Sequence, residues 1–285
     1  MDDKKRTDLM NYLKEKALWV RRETLKIHAV SAETRVASSM SDVEIFVALY
    51  YGGVLRFDAK NILWPERDRL IVSKGHGAIS LYPIFADTGY FDKSELTTVG
   101  KAGSFLGGIP DPIIPGLETV NGSLGHGLGV ACGVALALRK SASNAKVFVL
   151  LGDGELYEGS VWEAIMFAAH HRLSNLTMIV DNNKICMLDY CKNVLDLGCI
   201  EDKFKVFGWN VSTVDGHNME EVYDSLMHLK TANGDRPKVL VANTVKGKGI
   251  PQLENDSLCH IKSLKVEEID RLLSDPLLTV AGEVM

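Results

Sequence analysis

Asp153 stands between two glycines where one apolar run ends, and Asn182 and Asn183 close the next, in "LLGDGELYEGSVWEAIMFAAHHRLSNLTMIVDNN" (150–183). Gly152 and Gly154 let a backbone turn sharply and approach a ligand with no Cβ in the way. A helix predicted to begin near Tyr157 aims the unpaired N–H groups of its first turn at the same spot, which suits a phosphate. Asp153 alone would repel that phosphate. A hard divalent cation between them removes the conflict, since Mg2+ takes oxygen ligands and commonly shares its shell between a carboxylate and phosphate oxygens. Asn183 offers a neutral amide oxygen, and a main-chain carbonyl just beyond it completes the protein ligands. The chemistry predicted is a metal-bridged diphosphate site.

Two other phosphate-binding patterns fail on this stretch. "GDGELYEG" lacks the spacing of the dinucleotide fingerprint, and "GELYEGS" lacks the lysine of a P-loop. A lone G-D-G reads most simply as a strand-end turn with a capping Asp. The asparagine pair thirty residues further on, across a strand–helix–strand unit, sets this one apart.

The elements that must position these groups follow from periodicity. "KVFVLLGDG" and "LTMIVDNN" are continuous apolar runs, "PKVLVANTV" is a third, and "DRLIVSKGHGA" is a short buried strand running into a glycine turn. Between them lie helical patterns, "EGSVWEAIMFAAHHR", "MEEVYDSLMHLK" and a small-residue helix from Leu128 to Arg139. Such alternation predicts an α/β fold, a parallel sheet sandwiched by helices. Ligands in these sheets bind beyond the carboxyl ends of the strands, where G-D-G and D-N-N both fall. The first thirty residues read as a helix, and "SDVEIFVALYY" as a helix opened by a capping box of Ser41 and Glu44. Trp162, Ile165, Met166 and Ala169 share a face of the helix after G-D-G and are expected in the core. His170 and His171 end that helix, where a donor side chain suits the dipole.

The totals narrow the class. With 285 residues the chain can bury about three quarters of its unfolded surface. A net charge of -5 gives no electrostatic reason to expect nucleic acid or an anionic membrane as partner. The polar start "MDDKKRTDLM" lacks the apolar core of a signal peptide, and the longest apolar stretch is too short to span a bilayer. Five cysteines at spacings that fit no common zinc pattern read as reduced thiols of a cytoplasmic protein.

G-D-G followed at this distance by N-N resembles the thiamine diphosphate signature, and nearly the whole chain is similar to the N-terminal, diphosphate-binding half of transketolase. "DRLIVSKGHGA", "GSLGHGLGVACGVA", "GDGELYEGSVWEA", "FGWNVSTVDGHNMEEV" and "NTVKGKGI" carry the resemblance, in that order, followed by Cys259–His260. The resemblance implies one thiamine diphosphate-binding domain over residues 1–285, with thiamine diphosphate and Mg2+ as cofactors. It implies Asp153, Asn183 and the Ile185 carbonyl as metal ligands. Gly152, Gly154 and Glu155 then meet the diphosphate, which Lys74, His76, Lys246 and His260 surround with positive or donor groups. Gly122 and Leu124 would touch the aminopyrimidine through the backbone. Glu158 matches a glutamate placed at the subunit interface, in a carboxylate network linking two cofactors, and with His76 and His260 it makes up the expected catalytic set. Plainer roles exist for some of these: His76 as a turn cap, Lys246 and Lys248 as a solvated loop face.

In this family the glutamate that protonates the cofactor's pyrimidine ring lies in a second, pyrimidine-binding domain, and "SLKVEEIDRLLSDPLLTVAGEVM" after His260 reads only as a short helix and a tail. The resemblance thus implies a chain inactive alone, completed by a partner subunit of similar size in an α2β2 assembly. It also implies transfer of a two-carbon unit to an aldehyde or ketone acceptor. Transketolases carry substrate histidines in S-G-H-P-like and G-H-P segments. Here "SAETRVASSM" places Glu33 at the first, and "FLGGIPDPIIPG" places Gly108 or a neighbour at the second. His126 replaces a glutamine usual in L-G-Q-G. Losing hydroxyl-reading groups changes specificity strongly, so the donor is expected not to be an ordinary ketose phosphate, with Glu33 and His126 as candidate substrate contacts. A 2-oxo-acid (pyruvate) decarboxylating synthase is the alternative enzyme, and a non-catalytic regulatory paralogue the alternative from another class.

Overall fold

The computed structural model describes residues 2–31 and 33–275. In chain order the elements are α1 (Asp3–Val30), α2 (Val36–Met40), α3 (Val43–Tyr50), β1 (Arg69–Val72), α4 (Leu81–Thr88), α5 (Gly127–Lys140), β2 (Val147–Gly152), α6 (Gly159–His170), β3 (Leu176–Asn182), α7 (Cys191–Val194), α8 (Ile200–Val206), β4 (Asn210–Asp215), α9 (Met219–Thr231), β5 (Lys238–Asn243) and α10 (Val266–Leu273). The strands form one parallel sheet in the order β1-β2-β3-β5-β4. Successive side chains of a strand point to opposite faces, and both faces here are covered. Phe148, Leu150, Ile179 and Leu240 pack with α1, α3, α4 and α9, while Val147, Val149, Met178 and Val241 pack with α5, α6 and α8. That double burial is why the central strands read as unbroken apolar runs. Each fully buried Leu, Ile or Val among them contributes about 1.5–3 kcal/mol.

A third core lies beyond the carboxyl edge of the sheet. Leu25, Met40, Ile185, Ile250, Leu253, Cys259 and Ile269 join α1, α2, α10 and the loops after β3 and β5. It makes a floor for loops that would otherwise lie in solvent.

Four expectations need correction. Ser41 does not cap α3. Its hydroxyl donates to Asp181 at 2.8 Å, Asp42 takes the cap position without a side-chain bond, and Glu44 turns inward to Arg21. Buried charge outcompetes a local capping bond there. β4 was not expected, because it is an edge strand of mixed exposure and so lacks an apolar run. Regular helix α6 begins at Gly159, after a 3-10 turn over Asp153–Tyr157. Met166 is 48 % exposed and sits outside the core that holds Ile165, because it lies beside that face of α6 and not on it. Among the described residues no helix is long and apolar enough to cross a membrane.

Candidate active site

Parallel register sets the first distances. Gly152 at the end of β2 pairs with Asp181 in β3, and Asn182 pairs with Asn243 in β5. The G-D-G turn, the D-N-N end and the N-T-V-K loop therefore leave the sheet side by side. "SKGHG" follows β1 on the other flank of β2, where Ser73 and Lys74 N–H groups both donate to the Leu150 carbonyl. These segments line a cleft of about 480 Å³ that takes in Lys74, His76, Gly122, Leu124, Gly152, Asp153, Gly154, Glu155, Glu158, Asn183, Ile185, Lys246 and His260.

Asp153 is buried, and among the described residues its carboxylate accepts only backbone N–H groups, from Gly154 at 2.8 Å and Lys184 at 2.5 Å. Burial, reinforced by the charge of Asp181, pushes its carboxyl up to about 6. Asn183 donates its amide N–H to Asp181 at 2.6 Å, which fixes the amide oxygen on the other side. That oxygen accepts from the Ile185 N–H at 3.1 Å, and the Ile185 carbonyl accepts from Lys246 Nζ at 2.8 Å. One carboxylate, one amide oxygen and one main-chain carbonyl form an all-oxygen donor set, the kind Mg2+ takes. Asp153 forms no ion pair among the described residues, so the set fits a cation, which would supply a positive charge between this carboxylate and a phosphate.

Neither glycine of the turn has a positive φ. The close approach is real only at Gly154, where a Cβ would lie 3.0 Å from the Cys186 Cβ; at Gly152 it would meet Lys74 at an ordinary 3.8 Å. Glu155 contributes a clamp through its side chain. Its buried carboxylate accepts from Ser73 Oγ, from Gly125 N–H at 2.9 Å and from Gly152 N–H at 3.4 Å, tying the ends of β1 and β2 to the "NGSLG" loop. Glu158 is exposed at the start of α6, with its Cβ against Gly125.

Lys74 lines the cleft with its stem, not its charge. Its ammonium is turned inward to Asp181 and to Asp42 at 2.9 Å, and it also donates to the Ser38 carbonyl at 3.2 Å. Burial opposes the charge on Lys74, but Asp181 and Asp42 outweigh it and hold the lysine above its ordinary range. Two buried carboxylates claim this lysine before a phosphate can. Asp42 and Asp181 are thus participants the sequence reading passed over, although both sit inside motifs it quoted.

His76 and His260 face each other with ring centroids 5.3 Å apart, and Ser38 Oγ lies 3.2 Å from His260 Nδ1. Burial, then Lys246 and His76, pull His260 down to about 3; burial, then Arg35 and Lys246, lower His76. Both imidazoles are therefore neutral near pH 7 and available as donors or acceptors. Burial, then Lys74, lower Lys246 as well. Glu33 and Gly108 are exposed, and His126 is exposed at the start of α5; none of the three lines the cleft. Arg35 is one of three cations whose charge acts on both imidazoles, with Lys246 and Lys74. It is half-buried and forms no ion pair among the described residues, and its carbonyl accepts from Ser38 N at 3.1 Å at the start of α2. Of the segment "SAETRVASSM", Ser38 is the residue that lines the cleft. The lip of the cleft is apolar, with Met187 57 % and Leu188 65 % exposed.

A parallel sheet with oxygen donors and phosphate-sized room at its carboxyl edge defines a cofactor-binding α/β domain. Residues 25–275 match the family model of the transketolase thiamine diphosphate-binding domain, and the chain belongs to that family. It is 40% identical over 265 residues to one of the subunits of the apulose-4-phosphate transketolase of Actinobacillus succinogenes, covering 92% of this chain and 95% of that one. It is 37% identical to the 6-deoxy-6-sulfo-D-fructose transketolase subunit SqwG of a Clostridium species, covering 90% of this chain and 92% of that one. A transketolase from Pichia stipitis, solved as a complex with sedoheptulose-7-phosphate, superposes with a TM-score of 0.83 at 26% identity. That match covers 91% of this chain but only 40% of the longer one.

Proposed function

We propose that this chain is the diphosphate-holding subunit of a two-subunit, thiamine diphosphate-dependent transketolase, a transferase that moves a two-carbon unit onto an aldehyde or ketone acceptor. Residues 1–285 make up its single cofactor domain, and a partner of similar size supplies the pyrimidine-binding domain in a cytoplasmic α2β2 assembly. The observation that carries this reading is the convergence of Asp153, Asn183 and the Ile185 carbonyl with Lys246, His76 and His260 in one cleft. The cofactor supplies the carbanion chemistry when bound. The chain's own part is to hold and orient it. Asp153, Asn183 and Ile185 would hold Mg2+; Gly154, within the 3-10 turn, would meet the diphosphate; Gly122 and Leu124 would contact the aminopyrimidine. His76 and His260, both neutral, would offer hydrogen-bonding groups to the bound cofactor and substrate, and Glu158 would face the neighbouring subunit.

Two relatives that this chain covers almost end to end are named for unusual sugars, which supports a ketose derivative as donor over a 2-oxo acid. Affinity purification of the chain from its own organism, with thiamine diphosphate and Mg2+ present, tests the assembly. A stoichiometric partner with a pyrimidine-binding domain is the expected result, and a fully active preparation of this chain alone would sink it. Release of CO2 from pyruvate by the purified complex, with no transfer from any ketose phosphate, would overturn the transketolase reading.

A further inference from the structure

The "DGHN" turn between β4 and α9 carries a histidine with no part in the cleft, yet its ring is held at both nitrogens. His217 Nε2 accepts from the Val245 N–H at 2.8 Å. A backbone N–H can only donate, so the ring proton resides on Nδ1, which donates to Glu44 Oε2 at 3.1 Å. Glu44 is fixed in turn by Arg21, with Nη1 2.8 Å from Oε1 and Nη2 2.8 Å from Oε2. The side chains of Arg21, Glu44 and His217 are 6%, 9% and 12% exposed, so the row is nearly dry. It starts on α1, crosses α3 and the β4–α9 turn, and ends on the loop after β5. Gly216 makes the approach possible: its N–H donates to Asn243 at 2.7 Å, and a Cβ there would lie 2.4 Å from the Thr244 methyl.

The next residue after Val245 is Lys246, whose Nζ lies 2.8 Å from the Ile185 carbonyl. The β5 ladder has ended by then, at Asn243, so strand pairing no longer fixes this backbone. We infer that His217 is a positioning residue for the cofactor site: it fastens Val245, and so places Lys246 against the Ile185 carbonyl. The inference rests on the reading of Lys246 and Ile185 given above. The order of fixing is Arg21 to Glu44, Glu44 to the imidazole, the imidazole to Val245. A chain of oriented groups behind a ligand commonly matters to its affinity by about 10–100-fold.

Two substitutions separate the halves of the ring. His217→Asn keeps a donor for Glu44 but is too short to accept from Val245. His217→Gln carries an amide oxygen to about where Nε2 stands and keeps the acceptor. Amide hydrogen exchange of the segment 244–250 and binding of Mg2+–thiamine diphosphate are measured for both, in the chain with its partner. The expected result is faster exchange and about tenfold weaker binding for H217N, with H217Q near wild type. Unchanged exchange over 244–250 in H217N overturns the inference. So does the reverse order, H217Q impaired and H217N intact, because His217 would then only brace Glu44. If the exchange order holds but the wild-type protein binds no cofactor, the fastening of the loop stands and the cofactor reading falls.

Discussion

Burial without a counter-charge makes Asp153 costly to keep ionised, and its carboxyl sits at about 6 as a result. Asp153→Asn removes that charge but leaves one of its two backbone N–H partners unmatched. Each effect is worth about 2 kcal/mol and they oppose, so the metal-free variant should melt near wild type. It should, however, lose the rise in melting temperature that Mg2+ with thiamine diphosphate gives the parent protein. A thermal shift preserved in the variant would remove Asp153 from the metal site. A second contrast concerns the substrate end. Arg35→Ala should raise the donor KM about tenfold, because it withdraws a positive charge that acts on both imidazoles, whereas Glu33→Ala should leave it unchanged. The reverse pattern in steady-state kinetics would restore the sequence-based choice. Motifs led to Asp153 and Asn183 because their chemistry depends on a neighbour along the chain. They passed over Ser38, since which residue of "SAETRVASSM" reaches the cleft depends on where α2 begins, and nothing local in that segment marks the start.

At the scale of elements, the G-D-G turn and the hairpin after β3 are packed to contact. Ile185 pairs with Tyr190 across that hairpin, and Cys186 beside it touches the space a Gly154 side chain would fill. Gly154→Ala should therefore push the Ile185 carbonyl away from Asp153 and weaken cofactor binding by about tenfold, at a stability cost of about 1–3 kcal/mol. Adding Cys186→Gly should recover most of the binding in a calorimetric titration; no recovery would mean that the turn itself, not the hairpin, is disturbed. Four of the five strands were legible as apolar runs, each followed by a motif. β4 was hidden because an edge strand with one half-solvated face loses the run that betrays the others. The false capping box arose from the same limit. Ser41 and Glu44 have the right types and spacing, but tertiary partners, Asp181 and Arg21, outcompete the helix end.

For the whole molecule, α5 and α6 leave an apolar face uncovered. Val130 on α5 is 43 % exposed, and Met166 and Phe167 on α6, the helix that Glu158 opens, are 48 % and 39 % exposed. Met166→Glu with Phe167→Glu should shift the assembly from two copies of this chain to one in sedimentation velocity, leaving the melting of the single chain within about 1 kcal/mol. An unchanged sedimentation coefficient would place the contact elsewhere. The pairing of Gly152 with Asp181 has a different kind of reach. It sets the tolerance of this chain to insertion and deletion. A residue added in the turn between α6 and β3 lengthens a surface connection and is absorbed there. The same residue added within β3 turns every later side chain to the opposite face, exchanging Asp181 for its neighbour and leaving Lys74 without one of its two carboxylate partners. Length can therefore vary freely around the helices of this domain, while the count of residues from the middle of β3 to Ile185 stays fixed.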